Sequence, residues 1–165
     1  MNNIGIWQHD TAGLPCFEYT GNLPYSAQLS DGTPVKLSVD PWFLLGNYRF
    51  TLFTHISGEY ELISGERAWA RINQGKKKNS GVNSSILTID GTRHALTGMD
   101  SLAANSETCK RIFGIGFANY VYNIGGISVN RNLSVKPSTE VDNGASAFLL
   151  TITIKNNSGR KINCT

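Results

Sequence analysis

ISVNRNLSV, residues 127–135, alternates apolar and polar side chains with a period of two. Its even-numbered positions carry only Ser and Asn, and its odd-numbered positions carry Ile127, Val129, Arg131, Leu133 and Val135. Successive side chains of a β-strand point to opposite faces of the sheet, so the pattern predicts a strand with one buried and one polar face. Gly125-Gly126, directly before the stretch, predicts a turn.

The same period recurs on both sides of this stretch. Ser85–Ile89 and Thr92–Leu96 flank Asp90-Gly91, a pair that accepts the positive φ angles of a tight hairpin turn. Asp31-Gly32 predicts a similar hairpin earlier in the chain. The polar stretch Asp100–Thr108 predicts either one short helical turn or a loop.

Residues 49–73 predict three further strands, with turns at Ser57-Gly58 and at residues 64–66. In all, roughly a dozen short strands follow one another at turn spacings of about 8–12 residues, which is typical of a sandwich. No segment of ten or more residues shows the helical period. The sequence therefore predicts an all-β fold, an antiparallel β-sandwich with few or no helices.

Ala147–Lys155 is the most apolar predicted strand. It is apolar enough on both faces to predict burial between two layers. The last residues, Ile162–Thr165, begin another strand signal. A chain that stops within such a signal is typical of a cut, so we expect one β-sandwich domain over residues 1–165 that is an N-terminal fragment of a larger enzyme.

The composition narrows the classes of partner. Charged residues make up 16% of the 165 residues, against roughly 25% in average soluble domains, which indicates that a partner or further chain covers some surface. The only basic run, Lys76–Lys78, lies among Gly, Ser and Asn without interleaved aromatic residues, so a solvated loop is favoured over nucleic-acid binding. The sequence shows neither a signal peptide nor a membrane-spanning run, which leaves a cytoplasmic or periplasmic location open.

The residues that could carry chemistry are few. Three widely spaced cysteines predict small buried side chains, and three histidines lack metal-ligand spacing, so no metal and no cofactor are predicted. Glu59, Glu61 and Glu66 surround one hairpin, where a carboxylate pair for acid/base work on a glycosidic bond is conceivable. A solvated hairpin with Arg67 or Arg71 as the cross-strand partner is favoured instead. No catalytic residue is predicted in this chain.

Trp69 is the strongest candidate for ligand binding. It shares the polar face of its predicted strand with Arg71 and Asn73. An exposed indole beside such groups can stack on the apolar face of a sugar while the polar groups bind hydroxyls. Equally, Trp69 could cover an interface with a neighbouring domain, and Trp7 and Trp42 are predicted core or interface residues.

Two stretches resemble a known family. Residues 46–60 and 67–71 resemble the region that opens the cellobiose and chitobiose phosphorylases and related glycoside hydrolases. Residues 126–137 and 148–160 resemble the signature of their N-terminal β-supersandwich, a galactose-mutarotase-like fold. In such enzymes the sandwich precedes an α/α toroid that carries the catalytic residues.

The resemblance implies a supporting role for this chain. It would be a non-catalytic accessory domain whose partners are an oligosaccharide and a downstream catalytic domain of the same chain, in a glycoside hydrolase or phosphorylase. A loop of the β domain often shapes the sugar subsites, and the matching hairpin here is Ile56–Arg71, which adds Glu59 and Tyr60 to the candidate site. A homodimer is left open.

Three alternatives remain. The chain could be a stand-alone carbohydrate-binding module, or a structural interaction sandwich without a sugar ligand. A mutarotase would need a His acid and a carboxylate base converging on the sugar, for which His55 or His94 with Glu61 are the only candidates. The spacing of those residues gives no support for such convergence.

Overall fold

The computed structural model describes residues 4–22, 41–47, 49–64, 67–71, 84–138 and 145–165. Within these residues the chain forms twelve strands and one three-residue 3-10 turn, Leu102–Ala104. The strands are β1 (Gly5–His9), β2 (Pro15–Tyr19), β3 (Trp42–Asn47), β4 (Phe50–His55), β5 (Tyr60–Ser64), β6 (Arg67–Arg71), β7 (Ile86–Ile89), β8 (Thr92–Ala95), β9 (Cys109–Gly114), β10 (Phe117–Ile124), β11 (Ile127–Ser134) and β12 (Leu149–Asn156). None of the described helical structure is long and apolar enough to cross a membrane.

The described strands build one large and two smaller sheets. The large sheet has the order β1-β2-β9-β10-β11-β12, the second has the order β3-β4-β5-β6, and β7 and β8 form a hairpin. All of the pairings are antiparallel. Residues near the carboxyl end lie alongside β7, where the backbone amide of Thr165 donates to Thr88 and the amide of Asp90 donates to Asn163.

The four-stranded sheet packs on the inner face of the large sheet. The rings of Phe43 and Phe113 stack across the interface with centroids 3.7 Å apart, and the hydroxyls of Thr54 and Tyr120 lie 2.5 Å apart. These contacts make the fold an antiparallel β-sandwich, and the prediction of an all-β chain with few or no helices is confirmed.

An inner row of alternating cations and aromatic rings crosses the large sheet. Register places Arg131 opposite Tyr120, Tyr120 opposite Arg111, and Arg111 opposite Tyr19. Both guanidinium groups are fully buried and lie over tyrosine rings, Arg111 over Tyr19 and Arg131 over Tyr120. Backbone carbonyls accept their N–H groups, including those of Ala103 and Gly58. These contacts offset part of the cost of burying charge.

The two clearest sequence patterns form as predicted. Every inward position of β11 is buried, including Arg131, and every outward position is half-buried. Asp90 and Gly91 take φ angles of 47° and 85° in the turn between β7 and β8, which only a short polar residue and glycine adopt readily. Cys16 and Cys109 are buried free thiols, as predicted, and Cys164 is half-buried.

The prediction that Ala147–Lys155 is buried between two layers is wrong. β12 ends the order of the large sheet and is exposed at all eight positions. Composition shows that a strand is apolar on both faces, but it does not show whether other layers pack against those faces. The apolar run alone therefore does not determine whether β12 is buried. The hairpin predicted at Asp31-Gly32 and the lysine run Lys76–Lys78 lie outside the described residues.

Candidate functional site

Glu59 and Tyr60, two of the predicted sugar-binding residues, point in different directions. Glu59 is half-buried at the turn between β4 and β5. Tyr60 begins β5 and is only 5% exposed, with its ring 5.3 Å from that of Phe148 and beneath the guanidinium of Arg131. Burial raises the pKa of the Tyr60 hydroxyl. Tyr60 is thus a core residue with little surface to offer a ligand.

Trp69 and Arg71, the centre of the predicted site, are placed by their backbone in β6. Arg71 pairs with Ile63, whereas Arg67 pairs with Ser64, so the register shifts between these two pairs. Trp69 lies in the part of β6 that this shift spans. Asn73 lies outside the described residues.

A different tryptophan stands on the outer face of the four-stranded sheet. Trp42 pairs with His55 across β3 and β4, on the face opposite to the buried Leu52 and Thr54. Its indole is 40% exposed, and its centroid lies 4.8 Å from that of the imidazole of His55, which is itself buried. Trp42 therefore packs against the histidine with its ring tilted by 45° and leaves part of its own side chain accessible.

A short polar relay continues from His55. Its Nδ1 lies 2.7 Å from the hydroxyl of Ser57, and that hydroxyl donates to Oε2 of Glu59 at 2.9 Å. The backbone N–H of Ser57 also donates to Nδ1, at 3.2 Å, so this nitrogen acts as a hydrogen-bond acceptor. We call these four residues, Trp42, His55, Ser57 and Glu59, the Trp42 cluster.

The Trp42 cluster brings together an exposed ring and a carboxylate. Glu61, which pairs with Phe53, lies on the same outer face of the sheet. An indole offers an apolar platform, and carboxylate oxygens accept hydrogen bonds from hydroxyls. The cluster can therefore hold a flat ligand that is apolar on one side and rich in hydroxyls at its rim.

The Trp42 cluster does not have the arrangement of a nucleophilic triad. In such a triad the histidine lies between the serine and the carboxylate and takes the serine proton. Here the serine lies between the other two, and its hydroxyl is fully buried while it donates to Glu59. The geometry orients side chains instead of activating Ser57.

An apolar groove of about 650 Å³ opens between the two larger sheets. Trp7 is 74% exposed at its edge, and its ring centroid lies 5.2 Å from that of Phe17. Nearly every side chain that lines the groove is apolar, including Ile4, Phe17, Phe43, Leu44, Phe113 and Ile115. A sugar needs polar partners for its hydroxyls, so this lining suits apolar surface better than a saccharide.

A smaller, more polar cleft of about 260 Å³ lies beside β8. Arg93, His94, Asp100 and Asn105 line it. His94 therefore lies on the two-stranded sheet, with Asp100 and not Glu61 among its cleft neighbours. His55 lies beneath Trp42 on the other sheet. Of the two candidate acids for a mutarotase, His55 is the one that shares a sheet face with Glu61.

The sequence did not indicate Trp42 or Ser57 as members of a site, and it indicated His55 only as a candidate acid of a mutarotase. The run Trp42-Phe43-Leu44-Leu45 has no polar residue to mark its outer face. Ser57 lies in the turn after β4, where the period-two alternation of strand residues does not apply.

Comparison with known proteins does not assign the chain to a family. A scan against protein-family models finds no matching family, and no curated protein matches the sequence.

Proposed function

We propose that this chain is a non-catalytic accessory domain of a carbohydrate-active enzyme, and that it contacts an oligosaccharide through the Trp42 cluster. The observation that carries the proposal is the half-exposed Trp42 indole on the same sheet face as Glu59 and Glu61. The resemblance of residues 46–60 to the opening region of cellobiose and chitobiose phosphorylases supports the same ligand class and a glycoside hydrolase or phosphorylase as the parent enzyme.

The support for a sugar contact is chemical. The C–H face of a pyranose ring packs against an indole, while its equatorial hydroxyls project sideways to polar groups. His55 holds the Trp42 ring from below, and Ser57 holds the carboxylate of Glu59 by a hydrogen bond. Groups that are fixed before the ligand arrives lose less conformational entropy on binding.

The support for a non-catalytic role comes from the same residues. Ser57 is fully buried and His55 nearly so, whereas the carboxylates Glu59 and Glu61 are half-buried. In the proposed enzyme the general acid and the groups that activate the nucleophile belong to the catalytic domain. This chain would hold sugar units beside that domain.

Calorimetric titration of the purified chain with cello- and chito-oligosaccharides tests the proposal. We expect saturable binding that Trp42→Ala weakens at least about tenfold, or about 1.4 kcal/mol, because the stacking platform is lost. Trp7→Ala is the matched control, since it removes a more exposed indole from the other sheet, and it should leave the affinity unchanged.

A third variant, Trp69→Ala, separates the sequence hypothesis from the structural one. If Trp69→Ala abolishes binding while Trp42→Ala does not, the sugar site lies on β6 as the sequence predicted, and the Trp42 cluster is only structural. If none of these glycans binds at millimolar concentration, the sugar-binding proposal for the isolated chain is wrong.

A structural interaction domain is the second candidate function. The exposed apolar groove beside Trp7 and the exposed strand β12 favour it, because contiguous apolar surface marks sites of protein interaction. Absence of glycan binding together with self-association or capture of a catalytic domain would support this candidate over the first.

A further inference from the structure

β12 is the least covered element in the described part of the chain. It pairs with β11 in an unbroken register over eight residues, and β11 is its only paired strand in that part. All eight of its residues are exposed. Half of the N–H and C=O groups of such an edge strand point away from the sheet, where another strand can accept and donate hydrogen bonds.

The inner face of β12 continues the apolar inner face of the large sheet, but its residues are exposed. Leu150, Ile152 and Ile154 lie opposite residues of β11 that are fully buried, namely Leu133, Arg131 and Val129. Side chains opposite each other in an antiparallel pair share one face of the sheet. The apolar inner rows therefore extend one strand beyond the layer that covers them, and Ile152 is 46% exposed.

β12 also lacks the features that usually prevent a second strand from pairing with an edge strand. Natural edges carry charges, prolines or bulges that prevent a second strand from pairing. β12 has no proline, its register with β11 shows no bulge, and its first charge is Lys155, the seventh of eight residues. The opposite edge, β1, is shorter, with five residues, and its first residue is a glycine.

We propose that β12 is a self-association edge at which a second copy of this chain pairs antiparallel, about a twofold axis that passes through Ile152. In this register Ile152 lies opposite its own copy and Leu150 lies opposite Ile154. The apolar inner rows of both copies then join into one surface. A twofold contact of this kind is closed, so the assembly stops at a dimer.

β12 is complementary to itself in this register, because each apolar inner residue meets another apolar residue and no charge lies near the axis. Lys155 is the only charged residue of the strand and lies three residues from the axis. The two lysines therefore stand roughly 20 Å apart at about 3.3 Å per residue. This distance exceeds the screening length of about 8 Å at physiological salt, so repulsion between them is small.

The size of the contact sets its strength. Stable interfaces use about 20–30 residues a side, whereas β12 supplies eight. We therefore expect a weak dimer, with a dissociation constant on the order of micromolar or higher. The fraction of dimer should then rise with protein concentration.

Sedimentation velocity over two orders of magnitude in concentration tests the proposal. The wild-type chain should shift from monomer to dimer, and Ile152→Lys should remain monomeric because it places two charges at the axis. Ile6→Lys is the matched control: it makes the same change on the opposite edge strand at a similarly exposed position and should still form the dimer. Circular dichroism confirms that both variants keep the β-sheet signal.

Disulfide trapping tests the register directly. Residues that face each other in an antiparallel pair have Cα atoms about 4.5–5.5 Å apart, within the range that a disulfide spans. In a Cys164→Ser background, Ile152→Cys should give a covalent dimer under mild oxidation, and Lys155→Cys should not.

Two results would overturn the proposal. A wild-type chain that stays monomeric at every concentration would show that any strand on β12 comes from another polypeptide. A dimer that Ile152→Lys leaves intact and Ile6→Lys abolishes would place the contact on β1. Neither result depends on glycan binding, so the proposal that the chain binds an oligosaccharide is tested independently.

Discussion

β11 and β12 are neighbours in the same sheet and have the same length, yet their burial is opposite. β11 alternates strictly between buried and half-buried residues. β12 is exposed throughout, although its sequence, LLTITIKN, contains no less apolar surface than ISVNRNLS. The burial of a strand is therefore decided by the layer that packs against it and not by the hydrophobicity of the strand itself.

Truncating a leucine on each strand should give the largest contrast. Leu133 and Leu150 face each other across the pair, fully buried and 37% exposed respectively. Leu133→Ala should lower the free energy of unfolding by about 2–5 kcal/mol, because it leaves a cavity in the core. Leu150→Ala removes the same atoms from a half-open site and should cost about 1 kcal/mol or less. Chemical denaturation measures both, and equal losses would mean that β12 is covered after all.

Alkaline pH should act on the covered side of the large sheet. Burial raises the pKa of the Cys109 thiol from its ordinary 9.0 to about 12, and it also raises the pKa values of Tyr120 and Tyr122. These groups ionise more easily in the unfolded chain, so their stabilisation is complete below pH 9 and is lost as pH rises toward 12.

Cys109→Ala isolates one part of this effect. At pH 10 the thiol alone should lower the free energy of unfolding by about 1.4 kcal/mol relative to neutral pH, because pH 10 is one unit above the pKa of the thiol in the unfolded chain. The variant should therefore lose less stability than the wild type between pH 8 and pH 10. Cys164→Ala, at the half-buried cysteine, is the control, and a Cys109→Ala curve parallel to the wild-type curve would show that the buried thiol does not contribute.

Placing a charge on β12 should change stability less than either of these. Ile152→Lys adds a charge at an exposed position, so the free energy of unfolding of the monomer should change by about 0.5 kcal/mol or less. Thermal unfolding at low protein concentration measures this change, and a large loss in Ile152→Lys would contradict the open edge.

The smallest effect should come from the carboxyl-terminal segment beside β7. The backbone N–H of Asn163 and the guanidinium of Arg160 hold the pKa of the exposed Asp90 carboxyl below its ordinary range. Their contribution is present at neutral pH and is lost as pH falls through the acidic range. Asp90→Asn should therefore lower the protection factor of the Thr165 amide at neutral pH and make that protection factor insensitive to acid, whereas protection factors in β11 should not change.

The sequence predicted the parts of the fold that depend on local pattern. Period two placed Arg131 on the inner face of β11, and Asp90-Gly91 marked its hairpin, because face and turn follow from neighbouring residues alone. Burial of β12 depends on whether residues far away in the sequence pack against it, so its apolar run alone could not predict that the strand is exposed. The sugar site was predicted around Trp69 because polar neighbours marked that face, whereas the apolar neighbours of Trp42 concealed its position on the opposing sheet surface.

Hydrogen exchange, followed by mass spectrometry, is the most direct test of the contrast between the two strands. An interior strand bonds its amides on both sides, whereas an edge strand bonds about half of them. We predict that, in dilute solution, residues 127–134 are fully protected and residues 149–156 are protected at about half of their amides, with protection of the second segment increasing at high concentration. Full protection of residues 149–156 in dilute solution would contradict the account, because it would mean that the strand already has a second neighbour.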